Sequence, residues 1–225
     1  MNKKLVRPFL KKNRKTFRST SGDVVVKGRK KIVKFFVDGN EARPFSYGRT
    51  RTIPITNHSA IKYYSELMQQ KPARNRNERI YGAPPPKTFI VRPVKLIKQT
   101  KRYHVVENVN GPNLLDFVSF VETRKGPRII KSDKPNSETK SDIIMRRKIL
   151  AKFAFKHRAE IRKWSKNNLD FMRELFEQMN WIKEAGDGRV DIYKHELKET
   201  DFIVEGFSKE KDGSTKIKLV MVDFR

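Results

Sequence analysis

Lys216-Ile217-Lys218-Leu219-Val220-Met221-Val222-Asp223-Phe224-Arg225 is the stretch on which the reading of the chain turns. Its apolar, β-branched run predicts a strand, and it leads into a carboxylate beside an aromatic ring. Phe202-Ile203-Val204 predicts a partner strand, and Lys211-Asp212-Gly213-Ser214 the turn that joins the two. Upstream, a helical tract is predicted from about Ile143 to Glu184. Its second half carries Leu169, Met172, Leu175, Phe176, Met179 and Ile182 at helical spacing, a stripe expected to face the core. Ala185-Gly186-Asp187-Gly188 reads as its stop.

Before that tract, residues 124–142 are polar and turn-rich and read as a loop or linker. Asn113 is placed to cap a helix over Leu114–Val121. Phe89–Ile97 and Arg102–Val109 read as two strands of a hairpin. Pro84-Pro85-Pro86 ends any helix before them, and a short polar helix is expected around Glu66 to Glu78. Val24–Val26, Ile32–Val37 and Ser59–Tyr64 read as strands, with a turn signal at Asp38-Gly39-Asn40. The fold class expected is α+β: an antiparallel β lobe over 22–109, then a hinge and an abbreviated helical lobe over 110–225.

The 225 residues include no Cys, which removes disulfides, thiolate metal sites and a cysteine nucleophile. No run approaches the 18 apolar residues of a membrane span, and no apolar signal-peptide core follows the basic start. The compartment expected is therefore the cytoplasm, with nucleus and organelle left open. Hydrophobic residues make up 36% of the chain, enough for a packed core with solvated segments around it.

The order of elements and five short motifs resemble the protein-kinase-like fold. Ser59-Ala60-Ile61-Lys62 is similar to that family's third-strand Val-Ala-Ile-Lys motif, and Glu78 follows where a helix supplies the lysine's partner. Tyr103 to Val109 resembles the strand that enters the hinge. Glu196-Leu197-Lys198-Glu199-Thr200-Asp201 resembles the catalytic loop, and Val222-Asp223-Phe224 the metal-binding Asp-Phe-Gly end. The resemblance implies ATP and Mg²⁺ as ligands. Lys62 would hold the α/β-phosphates and Glu78 would hold Lys62, Glu107 to Val109 would offer backbone groups to an adenine edge, and Asp201 and Asp223 would ligate the metal. Glu196 would stand at the base position and Lys198 at the γ-phosphate.

The sequence departs from the family pattern. Glu196 replaces an Asp, Arg225 replaces the final Gly, and no Gly-x-Gly-x-x-Gly loop is present. The resemblance thus implies a degenerate, pseudokinase-type protein that keeps a nucleotide pocket. The alternatives are an active ATP-dependent phosphotransferase, or an RNA-binding protein without a nucleotide site.

Charge supplies the other half of the reading. Fifty-two Lys and Arg against 25 Asp and Glu give a formal net charge of +27. Such a chain attracts polyanions, and the partner expected is RNA or a ribonucleoprotein, with a protein partner or self-association also plausible. Residues 1–21 read as a flexible basic arm bearing Lys11, Lys12, Arg14 and Lys15. The second candidate surface is the helix that carries Arg146, Arg147, Lys148, Lys152, Lys156, Arg162 and Lys163, with Phe155 and Trp164 expected in the core.

Overall fold

The computed structural model describes residues 15–18, 24–28, 30–35, 42–47, 51–56, 61, 62, 65, 68, 86–100, 102–123, 140–184 and 198–222. The fold is α+β. Ten strands and four α-helices lie among the described residues. Strands β1 (Lys15–Arg18), β2 (Val24–Lys27), β3 (Lys31–Phe35), β7 (Leu96–Gln99) and β8 (Tyr103–Glu107) form one antiparallel sheet in the order β1-β2-β3-β8-β7. Strands β4 (Ala42–Tyr47) and β5 (Arg51–Thr56) form a separate hairpin. Strand β6 (Phe89–Pro93) runs parallel to β10 (Thr215–Met221), which pairs antiparallel with β9 (Phe202–Lys209). The helices are α1 (Leu114–Thr123), α2 (Lys140–Lys156), α3 (Arg158–Trp164) and α4 (Asn168–Glu184).

The five-stranded sheet has two different faces. Strand alternation sends Val26, Val33, Phe35 and Val105 to a small cluster of their own. Ile32 and Val106, directly opposite each other, face the main core. That core also takes Ile61, Met68, Phe89, Phe202, Ile217 and the buried faces of the helices. An aromatic spine runs through it: Phe117 on α1 packs 5.2 Å from Trp164 and 5.9 Å from Phe153, and Trp164 packs 5.0 Å from Phe171. Such tilted and edge-on pairs add to the area they bury.

The predicted terminal β pair is present. Its turn closes with Gly213 at φ +77°, a conformation that suits glycine. Asn113 caps α1 as expected, its Oδ1 accepting the Asp116 amide at 2.7 Å. Four expectations need correction. The run 89–97 is not one hairpin strand: Val94 and Lys95 divide it, sending β6 to the β10 sheet and leaving β7 to pair with β8. The strand expected over 59–64 is not formed at its described residues: Ile61 and Lys62 are helical, as is Ser65. Ile61, Ser65 and Met68 are buried at helical spacing, and the Ser65 hydroxyl donates to the Ile61 carbonyl at 2.7 Å.

The basic arm does not extend to residue 21, because Lys15–Arg18 pairs with Val24–Lys27 as a strand. The tract from 143 to 184 is not one helix. It is divided at His157 and by the 3-10 turn Ser165–Asn167. In the second half, α4 buries Phe171, Leu175, Gln178 and Met179, while Leu169 and Phe176 of the expected stripe are exposed.

Candidate functional site

One cluster of charged side chains lies where the two larger sheets meet. The connector 108–113 runs beside β9: the Val204 amide donates to the Pro112 carbonyl at 2.9 Å, and Asn113 bridges to Ile203. A Cβ on Gly111 would lie 1.9 Å from the Val204 carbonyl oxygen, so only glycine lets the connector come this close. Arg92 on β6 reaches both sides. Its guanidinium lies 2.5 Å from Glu107 on β8 and 2.5 Å from Glu205 on β9. Glu205 is presented by a bulge, since Leu219 pairs with Val204 and Lys218 with Gly206. The Glu205 and Glu107 carboxylates outweigh burial and raise the Arg92 pKa further. Burial acts to raise the Glu107 carboxyl. The hydrogen bonds from Arg92 and the Lys95 amide outweigh it, and Glu107 titrates below its ordinary value.

Two backbone amides of the expected adenine edge are paired within the fold. The Glu107 amide donates to the Lys95 carbonyl at 3.0 Å and the Asn108 amide to the Lys30 carbonyl at 2.9 Å. Val109 is buried in the main core.

At the same end of the small sheet as Arg92, Asp201 is 7% exposed and lies in the 3-10 turn Glu199–Asp201. Its Oδ2 accepts the Lys198 amide at 2.9 Å, and the Asp201 amide returns a bond to the Lys198 carbonyl at 2.9 Å. The Val222 amide donates to the Asp201 carbonyl at 2.8 Å. The turn is thereby fixed to the residue just before Asp223. The Lys198 side chain is exposed. Glu78, Glu196 and Asp223 lie outside the described residues. Among the described residues, no three His, Asp or Glu side chains cluster as a metal site.

Lys62 is exposed on its helical segment and is not the third-strand lysine. The third strand is β3, and the cation within it that is drawn inside is Lys34, 9% exposed and directly opposite the buried His104 on β8. Alternation places Lys34 on the same face as Ile32, toward the main core. Its signal in the sequence is a lysine enclosed by Ile32, Val33, Phe35 and Phe36. Carboxylates elsewhere are structural. Glu174 on α4 accepts the amides of Lys87 and Thr88 at 2.7 and 2.8 Å and so holds the start of β6.

The basic helix face is present with two changes. Arg146 turns inward and pairs with the buried Asp116 on α1 at 2.9 and 2.5 Å, so it belongs to the packing. Phe155 is 87% exposed, whereas Trp164 is buried. Arg147, Lys148, Lys152, Lys156, Arg162 and Lys163 are exposed, and Lys163 Nζ donates to the Gly213 carbonyl at 2.7 Å. Lys15 lies on β1, and Lys11, Lys12 and Arg14 lie outside the described residues. No helix among the described residues is long and apolar enough to cross a membrane. No protein-family model matches the chain, and comparison with curated proteins and with solved structures finds no match.

Proposed function

We propose that the chain is a nucleotide-binding protein on a kinase-like plan, in which Lys34 holds phosphate oxygens and Asp201 and Asp223 hold Mg²⁺. The observation that carries this reading is the 2.8 Å bond from the Val222 amide to the Asp201 carbonyl. It ties the turn bearing Asp201 to Val222, the residue that precedes Asp223 in the sequence. Carboxylate oxygens suit a hard cation, and the Lys198 amide orients the Asp201 carboxylate. When bound, Mg²⁺ neutralises charge on the phosphate oxygens.

Two further features support the reading. A strand-borne lysine, Lys34, is buried on the core-facing side of the antiparallel sheet. The element order also agrees: β strands, a helical segment, a hairpin, a connector against β9, helices, and a β pair leading to Asp223. With Glu196 at the base position and no glycine-rich loop in the sequence, nucleotide binding is the activity proposed and phosphotransfer is secondary to it.

The test is thermal unfolding of nucleic-acid-free protein with and without MgATP. Ligand at a hundredfold excess over Kd stabilises by about 2.7 kcal/mol, which raises Tm by several degrees. The shift is expected in wild type and Lys62→Ala, and is expected to vanish in Lys34→Met and Asp223→Asn variants that unfold cooperatively without ligand. No shift in wild type overturns the nucleotide reading. A shift that survives Lys34→Met overturns the lysine assignment.

A further inference from the structure

Residues 140–166 hold ten Lys and Arg against Asp142 and Glu160. Arg146 is committed to Asp116. The other nine, Lys140, Arg147, Lys148, Lys152, Lys156, Arg158, Arg162, Lys163 and Lys166, are exposed, while both acids are half-buried. The helical hydrogen bonding continues through the break: the His157 amide donates to Phe153 and the Ile161 amide to His157, both at 2.9 Å. The cations therefore follow two successive helices joined at His157, a path of roughly 27 Å from Lys148 to Lys166 at helical rise.

An aromatic ring stands in the middle of this charge. Phe155 is 87% exposed, and a core role is excluded because Leu150 and Phe153 hold the inward face of α2. Its neighbours one turn away in each direction are Ala151 and Ala159, both exposed and too small to cover the ring. Lys152 and Arg158, three residues away on either side, flank it with charge. Burying so large a ring is favourable, and here it is left in water among cations.

We propose that the outer face of α2 and α3 is a docking strip for single-stranded RNA, with Phe155 stacking on a base and the flanking Lys and Arg following the phosphates. A net-cationic strip complements a polyanion. An open ring adds affinity only for a partner with accessible π-faces, which unpaired bases in RNA loops and single strands have and a closed duplex does not. The proposal is independent of the nucleotide site, because none of these residues belongs to it.

The experiment is fluorescence anisotropy with a labelled 12-nucleotide oligouridine and, as comparison, a 12-base-pair RNA duplex. The single strand is expected to bind more tightly than the duplex. Phe155→Ala is expected to weaken single-strand binding about tenfold or more and to leave duplex binding unchanged, while Phe155→Trp retains it. Lys152→Gln with Lys156→Gln is expected to reduce the slope of log K against log salt by about 1.4. Circular dichroism checks folding, which an 87% exposed side chain does not support. Equal binding of Phe155→Ala and wild type overturns the proposal. So does Phe155-dependent binding to phosphatidylserine vesicles with RNA affinity unchanged, which would make the strip a membrane surface. Dissociation of a wild-type oligomer by Phe155→Ala with RNA affinity unchanged would make it a self-association surface and likewise overturns it.

Discussion

Arg92 Nη1 lies 2.5 Å from Glu107 Oε1, and the same guanidinium reaches Glu205 through Nη2. One side chain on β6 thus bridges the end of the five-stranded sheet and a bulge of the three-stranded one. Arg92 and Glu107 are about a third and a quarter exposed, so solvent screens part of the attraction. Arg92→Met is expected to cost about 1–2 kcal/mol at neutral pH. Glu107 titrates lower in the folded chain than in the unfolded one. The unfolded state therefore takes up the proton first as pH falls, and the contribution present above the unfolded value is lost as pH drops through the folded one. Urea unfolding at pH 7 and pH 3 measures this. A penalty for Arg92→Met that is as large at pH 3 as at pH 7 would sink the argument.

The second clip is inside the protein. Asp116, 1% exposed, accepts two hydrogen bonds from Arg146 and so joins α1 to α2. Removing one member of such a pair leaves the other buried and uncompensated, at a cost of about 3–5 kcal/mol. Arg146→Met is expected to fall in that range. Arg146→Met with Asp116→Asn is expected to recover much of the loss, since an amide has no charge to bury. A double variant as unstable as the single one would show that the salt bridge is not what joins the helices.

The elements that could be read from sequence are those whose signals are local. The β9–β10 pair, the Asn113 cap and the β2 and β3 strands each depend on a turn, a cap or a β-branched run within a few residues. Less legible were features decided at a distance. Whether Phe89–Ile97 is one strand or two depends on β10, which is more than a hundred residues away in sequence and takes β6 as a parallel partner. Alanine, lysine and tyrosine around Ile61 fit strand or helix alike, and the burial of Ile61, Ser65 and Met68 against the core selects helix. That exchange also moved the candidate phosphate lysine from Lys62 to Lys34. On α2, Phe153 and Phe155 are two residues apart and so about 200° apart around a helix, which forces one of them outward. The buried set Leu150, Phe153 and Trp164 decides which.

Gly111 offers a test of the connector. A methyl group there would stand 1.9 Å from the Val204 carbonyl oxygen and 3.0 Å from the Ile203 side chain. The oxygen is backbone in a paired strand and cannot rotate away. Gly111→Ala is expected to push the connector off β9, break the Val204-to-Pro112 hydrogen bond and cost about 2 kcal/mol or more. Hydrogen exchange locates the effect. The Val204 amide is expected to lose protection while the Phe17 and Val25 amides, in the distant β1–β2 pair, keep theirs. Retained protection at Val204 would show that the connector accommodates the methyl group.

His157 gives the clearest pH dependence. It sits between α2 and α3, with its ring 4.6 Å from Phe153 and 5.7 Å from Phe207, and a Cβ on Gly206 would meet it at 3.7 Å. Burial in this apolar setting lowers its pKa, the Lys156 charge lowers it further, and Glu160, 4.0 Å from Nδ1, opposes both. Below about pH 6.5 the unfolded chain takes up a proton that the folded chain resists. Stability is then complete above the unfolded pKa and falls as the solution is acidified through it. His157→Phe keeps a ring of similar shape and removes the titration. Between pH 7.5 and 5.5 the Tm of wild type is expected to fall more than that of His157→Phe, and the two curves are expected to differ in slope only in that window. Parallel curves would mean that the acid sensitivity arises elsewhere.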